Sequence, residues 1–138
     1  RDRMEEQVIH YCVAHGIPII ATCRGMQYIN VMFGGKLWYH PKLPVNRTRG
    51  VDHQVWLVKE QRNIWVNNYH SDCIYEEGLA SCFEPLAIDR ENHVVEAYGS
   101  DEMKILALQW HPERRFETAN AYEETRKIIL DFIQKYVK

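Results

Sequence analysis

The sequence predicts an α/β domain in which a sheet lies between layers of helices, and three observations carry that reading. A helical pattern from Met4 is followed at once by the apolar run 17–22, and then by a second helical pattern over residues 24–33. Helix, strand and helix in immediate succession are how layered α/β domains are built. The run is apolar at consecutive rather than alternate positions, as expected for a central parallel strand covered on both faces. The clearest helical pattern of all closes the chain, from Asn120 onward.

Each element has its own signal. In the opening helix Met4, Val8, Tyr11, Cys12 and His15 recur at helical spacing and are expected to face the sheet, with Gly16 as the stop. Gly34 and Gly35 end the second helix. Residues 36–51, with Pro41, Pro44 and Gly50 and no periodicity, read as a long loop, a length usually kept for function or mobility. Short strands are expected at 53–58 and 65–67, and a hairpin at 85–89 and 93–98 around Arg90, Glu91 and Asn92. A last strand, 104–110, leads into His111, Pro112 and Glu113. In the closing helix Asn120 or Thr118 is the expected cap, with Glu123 completing a capping box. Its expected buried stripe is Tyr122, Thr125, Ile129, Phe132, Ile133 and Tyr136.

Composition narrows the function classes. At 138 residues, 46% hydrophobic and 26% charged, the chain reads as one globular domain. The net charge of -2 gives no basic footprint for nucleic acid. No apolar run approaches the roughly 20 residues needed to span a bilayer, so no membrane partner is expected. Cys12, Cys23, Cys73 and Cys82 have no CxxC spacing and are too sparse for a disulfide scaffold, which points to reduced thiols in a cytoplasmic setting. His10, His15, His40, His53, His70 and His93 show no ligand spacing paired with cysteine, so no metal or other cofactor is expected.

The chemistry centres on Cys23, which stands on a sharp corner between strand and helix. Such a nucleophile elbow projects a side chain above the end of a sheet. The helix that follows aims its amides and positive dipole end at the sulfur, and both are expected to favour thiolate over thiol. Gly25 allows close backbone approach, and Gln27, one turn on, shares the sulfur's face. A cysteine nucleophile also needs a base and a group to orient that base. His111 and Glu113, two apart at a strand end, project to the same side, with Pro112 fixing the backbone between them. If their strand neighbours the 17–22 strand, His111 takes the thiol proton and Glu113 holds the imidazole tautomer. A buried cysteine and an exposed turn are the plainer alternatives for each feature taken singly.

These residues carry a family resemblance. Residues 18–37, with Cys23-Arg24-Gly25-Met26-Gln27 and then Asn30, Val31, Gly34, Gly35 and Leu37, resemble the nucleophile motif of class I glutamine amidotransferase-like proteins, and most of all the γ-glutamyl hydrolase branch. Val66-Asn67-Asn68-Tyr69-His70 and Leu108-Gln109-Trp110-His111-Pro112-Glu113 match later blocks of that branch in order. The resemblance implies a three-layer αβα sandwich around a mostly parallel, flavodoxin-like sheet and a triad of Cys23, His111 and Glu113. It also implies that the Arg24 amide is an oxyanion donor, that Gln27 helps hold the glutamyl group, and that Asn68, Tyr69 and His70 line the pocket through their backbone. The implied partner is a small-molecule γ-glutamyl substrate cleaved through a thioester, with γ-glutamyl polyamines, γ-glutamyl nucleotide amidates and folate polyglutamates as candidates. Homo-oligomerisation is left open. The alternatives are a glutaminase subunit that passes ammonia to a synthase and a non-enzymatic binding module on the same fold.

The sequence departs from the family pattern in two places. Ala21 stands where the family often has glycine, and Ser71-Asp72 follow His70 in place of His-Gln, so the part of the pocket that reads the leaving amine is expected to differ. Family members begin with several tens of residues that form the first strands and a glycine loop supplying a second oxyanion donor. The start Arg1-Asp2-Arg3 resembles the helix before the nucleophile strand, so residues 1–138 are read as the C-terminal part of one such domain. Activity is then expected to need the upstream segment, because losing one oxyanion donor costs on the order of 100- to 1000-fold in rate.

Overall fold

The computed structural model describes residues 2–40 and 49–137, which form, in chain order, α1 (Asp2–Ala14), β1 (Ile19–Thr22), α2 (Arg24–Met32), β2 (His53–Leu57), β3 (Arg62–Val66), β4 (Glu84–Asp89), β5 (Val94–Ser100), β6 (Ile105–Leu108) and α3 (Ala121–Tyr136). The six strands make one sheet in the order β1-β6-β5-β4-β2-β3. Of the expected long loop, residues 41–48 lie outside the described residues, and Trp38 just before them bridges to Cys73.

Among the described strands only β1 and β6 run parallel, from Ile19 opposite Ile105 to Thr22 opposite Leu108. The other ladders are antiparallel. A parallel neighbour needs a crossover of a dozen or more residues, whereas β2 and β3, and β4 and β5, are joined by the short turns 58–61 and 90–93. The parallel pairing expected of most of the sheet is therefore confined to one ladder in this chain, while the α/β class and its layering stand. Among the described strands β1 pairs with β6 alone, and Ile20 is 39% exposed, so one side of the expected central strand is open in residues 1–138.

Each sheet face has its own core. On one, Ile9 and Val13 of α1 and Met26 and Ile29 of α2 pack with Val95, Tyr98, Ile105 and Ala107. On the other, Ile128, Ile129 and Phe132 of α3 pack with Val55, Ile64, Val66, Leu106, Leu108 and Trp110. Trp110 Nε1 donates to Thr125 Oγ1 at 3.0 Å, so the one polar atom of that indole is satisfied inside the core. Arg62 forks onto both carboxylate oxygens of Glu124, at 2.7 and 2.9 Å, and ties β3 to α3.

Two helix faces differ from the sequence expectation. Met4, Val8 and Tyr11 of α1 are 71%, 56% and 57% exposed, and the inward pair is Ile9 and Val13. Both sets satisfy helical spacing, and only the position of the sheet decides between them. Gly16 does end α1, with φ of 67° and the Ile17 amide reaching back to the Cys12 carbonyl at 2.8 Å. In α3 the cap is Asn120, but it sits in the left-handed region with no side-chain cap bond, and the Ala121 amide bonds the Thr118 carbonyl instead. Tyr122 is outward-facing, Ile133 lies at the exposed margin of the stripe, and Thr125, Ile128, Ile129 and Phe132 form the inward row.

Candidate active site

Cys23 is the residue where β1 becomes α2. Its φ of 47° and ψ of -107° lie outside the regions an L-residue prefers, a strain of about 1–3 kcal/mol that the surroundings must hold. The strand ladder holds it from one side, since the Cys23 amide donates to the Leu108 carbonyl at 2.7 Å. The helix holds it from the other, through the Gln27 amide on the Cys23 carbonyl at 3.2 Å. Because β1 and β6 are parallel neighbours, the same ladder brings the segment after Leu108 to the sheet end where the sulfur stands.

That segment carries His111, whose Nδ1 lies 2.8 Å from Glu113 Oε2. A carboxylate can only accept, so Nδ1 bears the proton and Nε2 is the basic nitrogen. The turn is fixed by a residue that the sequence reading did not single out. Asn67, fully buried, donates Nδ2 to the His111 carbonyl at 2.8 Å and accepts the His111 amide on Oδ1 at 3.0 Å. Its Nδ2 also reaches the carbonyls of Arg114 and Arg115 at 3.4 Å. Further on, Asp52 Oδ2 accepts the amides of Glu117 and Thr118 at 3.0 and 2.8 Å. The imidazole is thus aimed by its backbone as much as by Glu113.

Beneath the sulfur lies a buried polar network. Gln109 Nε2 points at Cys23 Sγ from 3.8 Å, and Gln27 Nε2 donates to Gln109 Oε1 at 3.2 Å, which fixes which end of the Gln109 amide faces the sulfur. Gln27 Nε2 also donates to the Asp72 carbonyl at 3.0 Å, an oxygen shared with His70 Nδ1 at 2.8 Å. His70 Nε2 in turn stands 3.3 Å from Glu96 Oε2, and His53 Nε2 lies 3.7 Å from Glu96 Oε1. Glu96 is the extra residue of a β-bulge: Ala87 pairs with Ala97 and Ile88 with Val95, leaving Glu96 between.

The electrostatics add an opposing effect to the one expected from the helix start. Burial pushes the Cys23 thiol above its ordinary range, and the Arg24 amide, the Arg114 charge and the Gln109 amide offset this only in part, while Glu113 adds to it. The helix amide does lower the thiol as expected, but dehydration of the sulfur outweighs the donors around it. For Glu113 burial acts upward, but the backbone, the hydrogen bond from His111 and the charges of His111 and Arg114 prevail and hold it below the ordinary carboxylate range.

The remaining candidates separate. The Arg24 amide hydrogen-bonds toward the sulfur, while the Arg24 side chain is exposed. Tyr69 is half-buried with its ring edge-on to His111, centroids 5.7 Å apart. Asn68 and His70 are buried, and the Asn68 carbonyl accepts the Gly50 amide at 2.7 Å. Gln109 was missed because it directly follows an apolar strand, although a lone amide at the end of such a run must find partners and was a usable signal. Among the described residues no three His, Cys, Asp or Glu side chains converge to hold a metal. A groove of about 570 Å³ lies elsewhere, among Leu57, Phe83, Leu86, Phe132 and Tyr136, and includes none of the candidate residues.

The Peptidase C26 family model matches residues 1–113, ending on Glu113. The chain is 31% identical over 134 residues to the glutamine amidotransferase-like protein YvdE of Lactococcus lactis, covering 86% of this chain and 55% of that one. It is 31% identical over 114 residues to the γ-glutamyl-CDP-amidate hydrolase of Campylobacter jejuni, covering 83% and 52%. It is 27% identical over 135 residues to aminodeoxychorismate/anthranilate synthase component 2 of Bacillus subtilis, covering 96% and 66%. The chain therefore spans only about half to two thirds of the length of these relatives. In fold it matches the crystal structure of a glutamine amidotransferase from Thermotoga maritima with a TM-score of 0.66 at 18% identity, over 96% of this chain and 55% of that one.

Proposed function

The chain belongs to the Peptidase C26 family, and from that premise we propose that it is a cysteine hydrolase of γ-glutamyl amide bonds, with Cys23 as nucleophile, His111 as base and Glu113 as the group that orients His111. The observation that carries the reading is the parallel β1–β6 ladder, which continues into the 2.7 Å bond from the Cys23 amide to the Leu108 carbonyl and so draws the elbow and the His111 turn to one sheet end. The 2.8 Å His111–Glu113 contact supports the assignment of the base.

The chemistry follows from the protonation states. Since the thiol is held protonated, its proton must leave as the sulfur attacks the γ-carbonyl, and His111 Nε2 takes it. The carbonyl oxygen becomes an oxyanion that the Arg24 amide can meet. Collapse forms a thioester and expels the amine, which leaves with the proton from His111. Water, losing its proton to the same imidazole, then cleaves the thioester and releases glutamate, and Cys23 regains its proton. Gln27 acts through Gln109 to set the sulfur. We read residues 1–138 as part of a single amidotransferase-like domain, a reading supported by the greater length of the relatives and the open outer edge of β1, and the four free cysteines support a cytoplasmic setting.

The test is release of glutamate by the full-length protein from a panel of γ-glutamyl amides, with Cys23→Ala as control. Turnover that survives that substitution would sink the reading. A second reading, ammonia supply to a synthase, draws support from the similarity to the Bacillus subtilis synthase component. Glutamine hydrolysis that occurs only with a synthase partner present would favour it. Failure of Cys23 to react with a glutamine-like diazo-ketone would instead favour a binding module.

A further inference from the structure

In the reaction proposed above, His111 hands its proton to the departing amine, so the amine half of the substrate must lie against the His111 side of the site. What stands there is Tyr69, whose ring meets the imidazole edge-on. Two guanidinium groups lie over that ring, Arg114 at 4.6 Å and Arg49 at 5.6 Å from its centroid. Arg49 gives one of its donors to the Tyr69 carbonyl at 3.0 Å, which anchors it, and among the described residues its other N–H groups meet no further hydrogen-bond acceptor. Among the described residues Glu113 is the acidic group paired with these guanidiniums, 4.0 Å from Arg114 Nε, and its carboxylate already serves His111 at 2.8 Å. Guanidinium groups braced on an aromatic face are preorganised for planar, bidentate capture of oxyanions.

We infer that Arg49, Tyr69 and Arg114 form a subsite for an anionic group, carboxylate or phosphate, on the amine half of the γ-glutamyl substrate. The inference rests on the catalytic reading for its geometry. It makes a γ-glutamyl polyamine, cationic at this point, the disfavoured substrate and an acidic amide the favoured one.

The experiment measures equilibrium binding to the full-length Cys23→Ala protein, where no turnover intervenes. The probes are the γ-glutamyl amides of γ-aminobutyrate, n-butylamine and putrescine, which share a four-carbon tail and differ in its terminal charge, and the amide of O-phosphoethanolamine. The acidic amides are expected to bind about tenfold more tightly than the neutral one and tighter still than the cationic one, with the gap narrowing at high salt. Whichever acid binds better decides between carboxylate and phosphate. Arg114→Gln and Arg49→Gln are expected to flatten the preference, and Arg114→Lys to restore part of it. Equal binding of the three tails, a preference for the cationic tail, or a preference untouched by both glutamine substitutions would overturn the subsite. Glutamate release from the wild-type protein is read in parallel. Release without charge preference removes this inference and leaves the catalytic reading, whereas charge-selective binding without release does the reverse.

Discussion

Gln27, Gln109, His70 and Glu96 lie buried beneath the Cys23 sulfur and are linked to one another through short polar contacts, whereas Glu113 and Arg114, at the rim beside His111, reach solvent with 62% and 43% of their side chains exposed. The contrast separates two ways of fixing a reactive group. A buried polar group that loses its partner carries the full cost of its own dehydration, so the floor is held by penalties on every alternative arrangement. An exposed ion pair is worth roughly 0–1 kcal/mol, so the rim cannot be held by its charges. It is held through its backbone, by Asn67. The floor should therefore govern stability, and the rim rate and selectivity.

The largest expected effect is at the rim and in rate alone. His111→Ala in the full-length protein should lower glutamate release by about 10⁴-fold or more while leaving the denaturation midpoint close to that of the wild type. A large loss of stability would show that the imidazole is structural and break the division. Next comes Asn67, where the two regions meet. Asn67→Ala strips partners from the His111 amide and carbonyl, and urea unfolding should register a loss of about 2–4 kcal/mol. A neutral result would mean that the turn is held by something else.

Gln109→Met keeps the volume of the floor and removes its donor to the sulfur, with an expected stability loss of about 1–3 kcal/mol. It carries a sharper signature in pH. With the Cys23 thiol raised by burial, the thiolate appears only as pH climbs past the ordinary cysteine range near about 8.5, so the alkylation rate of Cys23 should inflect above that value. Loss of the Gln109 donor favours the neutral thiol further and should move the inflection higher still. An inflection below the ordinary range would contradict the account of the floor. Smallest of all, Arg114→Gln should change unfolding free energy by less than about 0.5 kcal/mol, as expected for an exposed charge.

What the sequence disclosed and what it withheld divide along the same line. The elbow at Cys23 and the spacing of His111 and Glu113 are local, set by which residues follow which, and both were legible. So were the helix stop at Gly16 and the short turn behind the β4–β5 hairpin. The inward face of α1 was not, because Met4-Val8-Tyr11 and Ile9-Val13 both obey helical spacing and only the sheet chooses between them. Asn67 and Gln109 lay inside recognised blocks, but their tasks depend on partners 44 and 86 positions away. The raised Cys23 thiol was hidden for a related reason: the helix terminus that favours thiolate is written in the sequence, whereas the dehydration that opposes it arises from packing.

The most direct measurement is to acid-quench the full-length protein during turnover of a γ-glutamyl amide and map its peptides by mass spectrometry. The account expects a glutamyl thioester on the Cys23 peptide, lost together with glutamate release in Cys23→Ala. Glutamate release at an undiminished rate from Cys23→Ala, with no adduct on the wild-type sulfur, would contradict it.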